Sequence, residues 1–95
     1  MLKELNPLLH SQIRLAVISL LLTVEEADFV YLKEKTKATA GNLSVQLDKL
    51  STAHYIEIEK SIKQKKSHTV CRITPTGRAA LEEYVDALKS YISLD

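Results

Sequence analysis

The side chains that could carry covalent or metal chemistry in this 95-residue chain are few and scattered. They are one cysteine, Cys71, three histidines, His10, His54 and His68, and carboxylates that fall mostly beside lysines or on faces expected to meet solvent. His68 and Cys71 stand three apart in a segment that reads as a strand, which points them to opposite faces, and His10 and His54 belong to other elements, so no metal centre is expected. Glycine-rich phosphate loops, nucleophile elbows and metal-binding runs are all missing from the sequence. An enzyme is therefore not expected, and neither is a cofactor. The alternation around Cys71 turns it inward, where cysteine behaves as a small inert hydrophobe.

What remains is non-covalent chemistry, concentrated in "KATAGNLSVQLDKL", residues 37–50. Leu43, Leu47 and Leu50 recur at the spacing that lines one helix face. The opposite face, at about 100° per residue, presents Ala38, Gly41, Asn42, Ser44, Val45, Asp48 and Lys49. Most of these are small and uncharged, where a merely solvated helix would carry Lys, Glu or Arg. A second polar concentration, "KQKK" at residues 63–66, taken alone reads as a solvated loop tip.

The elements that must position these residues follow from caps and periodicity. Asn6 and Pro7 give an N-cap followed by the helical position where proline is welcome, which predicts a first helix running to about Leu22. Its second half is apolar nearly all round, so one side should meet the core and the other a second copy of the chain. Asp28 caps a short second helix ending near Lys35, and Thr39 caps a third that continues to about Ala53. "YIEIEK" and "TVCRIT" alternate with Ile56, Ile58, Cys71 and Ile73 inward, and pair as a hairpin with a basic tip. In that hairpin Glu57 or Glu59 would lie close enough to Arg72 for an ion pair. Thr74 and Pro75 repeat the cap-then-proline signal and open a last helix over 75–93. Its stripe of Leu81, Tyr84, Val85, Leu88, Tyr91 and Ile92 runs past what a three-helix core needs. Together with Leu9, Ile13 and Val17 this stripe is the expected dimer interface.

The fold class is thus mostly α with a small β-hairpin, an α+β chain organised as one domain over residues 1–95. A composition 45% hydrophobic and 26% charged is that of a globular chain. The single cysteine precludes an intramolecular disulfide, and the longest apolar run, "LAVISLLL", falls short of a membrane span, so a cytoplasmic location is expected. Net charge is +1, but residues 33–72 hold nine basic against four acidic side chains, whereas residues 75–95 hold two against four. Such asymmetry bears on partners more than on fold.

The order helix, short helix, turn, helix and lysine-tipped hairpin resembles a winged helix-turn-helix domain. "TAGNLSVQLDKLSTAHYIEIEK" is similar to the recognition-helix segment of MarR-like and ArsR-like transcriptional regulators, and "CRITPTGRAALEEY" to the strand that closes their wing and leads into a C-terminal dimerisation helix. The paired-cysteine motif of metal-sensing ArsR-like proteins is absent. The resemblance covers about residues 8–92, with a core near 8–74 and the C-terminal helix beyond it.

It implies sequence-specific binding of double-stranded DNA by a homodimeric regulator, expected to act as a repressor on an inverted-repeat operator. The helix near 39–52 would enter the major groove. There Gly41 permits close approach, Asn42 and Gln46 offer amides to base edges, Ser44 bonds bases or phosphates, and Val45 meets a thymine methyl. Thr39 and the first-turn amides would face a phosphate, flanked by Lys37 and Lys49. Lys63, Gln64, Lys65 and Lys66 of the wing, near 61–67, would reach the backbone or minor groove. The alternative is a winged helix that serves as a protein-interaction module without DNA binding. No feature identifies a small-molecule effector.

Overall fold

A computed structural model describes residues 2–92; the expected end of the last helix at residue 93 lies outside them. The elements run α1 (Gln12–Leu22), β1 (Ala27–Asp28), α2 (Phe29–Thr36), α3 (Ala40–Thr52), β2 (Ile56–Lys63), β3 (Lys66–Ile73) and α4 (Pro75–Ile92).

Three of the helix starts stand where cap chemistry puts them. Asp28 accepts from the Tyr31 amide at 2.8 Å, Thr39 Oγ1 from the Asn42 amide at 3.1 Å, and Thr74 Oγ1 from the Gly77 amide at 2.9 Å. The first helix is a correction. Ser11, not Asn6, caps it, and Asn6 instead closes a single turn ahead of it. The Asn6 side chain accepts from the Leu8 amide at 2.9 Å, and its carbonyl accepts from the amides of Leu9 and His10. That turn drives Leu9 into the core, where it is fully buried. The Asn–Pro signal was chemically sound but served a turn.

The sheet is three-stranded and antiparallel in the order β1-β3-β2. The hairpin register pairs Ile56 with Ile73, Ile58 with Cys71 and Lys63 with Lys66, so the strands extend to a two-residue turn instead of a polar loop. β1 was not anticipated, because two residues are too short to show alternation; it pairs Ala27 with Cys71 and Asp28 with Val70. Asp28 therefore both closes the sheet and caps α2. On the outer face of the hairpin Arg72 meets Glu59 at 3.0 Å, the diagonal partner rather than the directly opposed Glu57, and also Glu26 at 2.9 Å. These two carboxylates hold the guanidinium pKa above its usual value.

The core gathers Leu9, Val17, Ile18, Leu21, Leu32, Leu43, Leu50 and Cys71, all at 0% exposure. α1 is its central rod, packed against α2, α3, α4 and β3. Val17, Ile18 and Leu21 of α1 are buried inside one chain, while Ile13, Leu15, Ala16 and Leu20 are half-buried, so its apolarity is only partly covered by the chain's own core. At its far end Leu22 stays 39% exposed.

Gly77 shows why "TPTG" opens α4. A Cβ there would stand 2.1 Å from the Tyr55 carbonyl oxygen, and that same carbonyl accepts from the Thr74 amide at 3.0 Å. Only glycine lets the helix start so close to the chain entering β2. The N-terminal segment then runs along α4. The Lys3 ammonium meets Asp86 at 2.5 Å and holds that carboxyl below its usual pKa, Tyr91 donates to the Lys3 carbonyl at 2.7 Å, and His10 Nδ1 lies 3.1 Å from the Tyr84 hydroxyl.

Candidate nucleic-acid interface

The leucine face of α3 is sunk in the core, with Leu43, Leu47 and Leu50 buried, which fixes what its other face can show. Gly41, Asn42, Ser44, Val45, Asp48 and Lys49 are exposed, as are Thr39 and Lys37 at its start, while Ala38 is half-buried. Nothing lies within 4 Å of where a Gly41 Cβ would stand. The fold therefore does not need this glycine, which holds helical backbone less well than alanine, by up to about 1 kcal/mol where the position is interior. The Thr39 hydroxyl engages the Asn42 amide, and the amides of Ala40 and Gly41 have no earlier helical carbonyl to reach.

Gln46 departs from the expected picture. It is half-buried, and both ends of its amide are engaged within the chain: its oxygen accepts from Arg14 of α1, and its nitrogen donates to Asn42 Oδ1 at 2.9 Å. Periodicity of α3 alone could not reveal this, because Arg14 is 32 positions away.

The hairpin tip carries Lys63, Gln64, Lys65 and Lys66, all exposed. Gln64 and Lys65 adopt φ of 50° and 63°, the left-handed pair that closes a two-residue hairpin turn. Such a φ disfavours side chains by about 1–2 kcal/mol per residue, so two long polar side chains stand where Asn-Gly would be the easier choice. Between α3 and the sheet lies an open groove of about 260 Å³, bounded by Ser44 and Asp48 on the helix and by Lys60 on β2. Lys60, in the middle of β2, is not among the expected site residues; the basic balance of residues 33–72 is the sequence signal that includes it.

The expected dimer residues divide sharply. Leu9, Val17, Leu81 and Tyr84 are buried within the protomer, at most 5% exposed, and belong to its own core; they are corrected out of the interface. Ile13 and Leu88 are half-buried, while Val85, Tyr91 and Ile92 are 43%, 44% and 68% exposed. The stripe is apolar as its spacing predicts, but its inner edge meets α1 and the N-terminal segment.

Burial pushes the Cys71 thiol up to about 11, which removes the thiolate that redox sensing requires. Among the described residues no three His, Cys, Asp or Glu side chains converge as a metal site, and no helix is long and apolar enough to cross a membrane.

The chain is 37% identical over 76 residues to an uncharacterized protein of Methanocaldococcus jannaschii, covering 80% of this chain and 83% of that one. A transcriptional regulator homologue from Pyrococcus horikoshii superposes with a TM-score of 0.81 at 26% identity, over 90% of this chain and 84% of that one. A MarR-family regulator from Silicibacter pomeroyi shares the fold, with a TM-score of 0.67 at 20% identity, over 88% of this chain and 56% of that one. The sequence profile of the winged helix DNA-binding domain, which is not an enzyme family, matches residues 13–92. With helix-turn-helix, wing and C-terminal helix all in place, the chain belongs to the winged helix DNA-binding domain family.

Proposed function

We propose that this chain is a cytoplasmic homodimeric regulator that binds duplex DNA through α3 and the wing and represses transcription by occupying promoter sequence. The observation that carries the reading is the exposed face of α3. Most of its residues are small and uncharged, it includes a glycine that the fold does not require, and it lies on the same domain as a lysine-bearing hairpin tip. In the major groove Asn42, Ser44 and Val45 meet base edges, while Thr39, Lys37 and Lys49 flank the backbone. Lys63, Lys65 and Lys66 supply affinity without sequence choice. Two copies joined along the exposed edge of α4, through Val85, Leu88 and Ile92, set two α3 helices against successive major grooves of an inverted repeat.

The test is fluorescence anisotropy of mixed-sequence duplex DNA against salt, for the parent chain and for a variant with Lys63, Lys65 and Lys66 replaced by alanine. Each phosphate contact contributes about 0.9 to the slope of log affinity against log salt, so the variant is expected to lose up to about 2.7 from that slope. Absence of binding at low salt by a folded dimer would reject the DNA reading in favour of a protein-interaction module.

A further inference from the structure

Three side chains form a hydrogen-bonded line from the interior edge of α1 to the outer face of α3. Arg14 donates its Nε–H to the Leu8 carbonyl at 2.6 Å and an Nη1–H to Gln46 Oε1. Gln46 donates from Nε2 to Asn42 Oδ1 at 2.9 Å, one helical turn away. Arg14 and Gln46 are half-buried, and Asn42 is exposed.

The direction of this line is dictated by its first member. An amide has nearly the same shape with its oxygen and nitrogen exchanged, so a lone Asn or Gln can present either end. Arginine has donors only. With Arg14 held on the Leu8 carbonyl, the Gln46 atom that faces it must be the oxygen, which turns the Gln46 NH₂ toward Asn42. The Asn42 atom facing that NH₂ must in turn be its oxygen, which leaves the Asn42 NH₂ directed outward.

We propose that Arg14 is a positioning residue for base choice: acting through Gln46, it fixes Asn42 with its two N–H donors outward, so that Asn42 reads guanine. An unconstrained asparagine pairs with adenine, because adenine's edge needs one donor and one acceptor from the same amide. Guanine presents two acceptors, N7 and O6, which suit an outward NH₂ whose oxygen is already engaged. Gln46, with both ends occupied, makes no base contact and serves as the spacer. This inference rests on the DNA-binding reading proposed above.

The experiment selects binding sites from a pool of random duplexes with the parent chain and with Asn42→Ala, Arg14→Lys, Arg14→Gln and Gln46→Met. The base pair whose preference disappears in Asn42→Ala is the one under that side chain. There the parent is expected to favour guanine over adenine by about fivefold or more, the lower end of what one good base contact discriminates. Arg14→Lys, which also has donors only, keeps that preference; Arg14→Gln, which can present either end, loses it. Gln46→Met breaks the line with Arg14 still in place and loses it too, so the result stands even if Arg14→Gln does not fold. Adenine in the parent, or the same guanine preference in the parent and in both line-breaking variants, overturns the inference. Exchange of the side-chain NH₂ protons, read by NMR without DNA, separates the two levels. A protected Gln46 NH₂ beside a freely exchanging Asn42 NH₂ supports the polarity, and the reverse pattern overturns it. If that polarity is present but the parent binds no duplex, the DNA reading fails and the base preference falls with it, while the side-chain geometry stands.

Discussion

A glycine on an exposed helical turn needs a reason, and at position 41 the chain itself supplies none, since a methyl group there would enter open space. Gly41→Ala is expected to raise stability by up to about 1 kcal/mol while weakening duplex binding, because the added Cβ would stand between the α3 backbone and the groove floor. Thermal melting and anisotropy on the same sample check both halves of that statement. At Cys71 the expectation concerns pH. Its folded pKa, raised from 9.0 to about 11 by burial, keeps the thiol protonated where the unfolded chain has already lost that proton. Protons bound to the folded form alone make stability fall as pH rises. The contribution is intact below about pH 9 and is lost on the way to about pH 11, a decline that urea titrations should show in the parent and that should be shallower in Cys71→Ala. At this scale the mostly small, uncharged face of α3 is legible in residue types alone. The Arg14–Gln46 bond was not, because nothing in a local pattern reports a contact across 32 positions.

Elements were legible where a cap and a period agreed. Asp28, Thr39 and Thr74 each precede an apolar repeat and each caps a helix. Asn6 carries the same signal, yet the chain turns away after one turn and starts α1 from Ser11. Periodicity likewise identified the hairpin but not β1, whose two residues gain their strand character only from pairing with Val70 and Cys71. The start of α4 offers a direct test. A side chain at position 77 would collide with backbone at 2.1 Å, not with a yielding side-chain end. Gly77→Ala is therefore expected to destabilise the fold by about 1–3 kcal/mol, the usual range for overpacking. Chemical denaturation measures the loss. Thr76→Ala, on the exposed side of the same turn, should leave stability within about 0.5 kcal/mol of the parent.

For the whole molecule, the apolar stripe of α4 told that the helix has a face to cover but not what covers it. One edge turned out to be met by α1 and by the N-terminal segment, and the other, along Val85, Leu88 and Ile92, is the edge proposed for the second copy. Val85→Glu is expected to shift sedimentation from dimer to monomer and to weaken binding to a duplex with two half-sites about 34 Å apart, with affinity for a single half-site retained. The sheet order adds a different consequence. Because β3 lies in the middle, β2 leaves one long edge with a row of backbone donors and acceptors that no strand among the described residues satisfies. Edges of this kind recruit strands from neighbouring molecules unless charge keeps them apart. Lys60 and Lys63 stand along that edge with Glu57 and Glu59. Lys63, one of the lysines proposed to hold DNA, thus also adds to the charge that discourages edge-to-edge pairing, and replacing it for a binding assay removes part of that charge along with the contact.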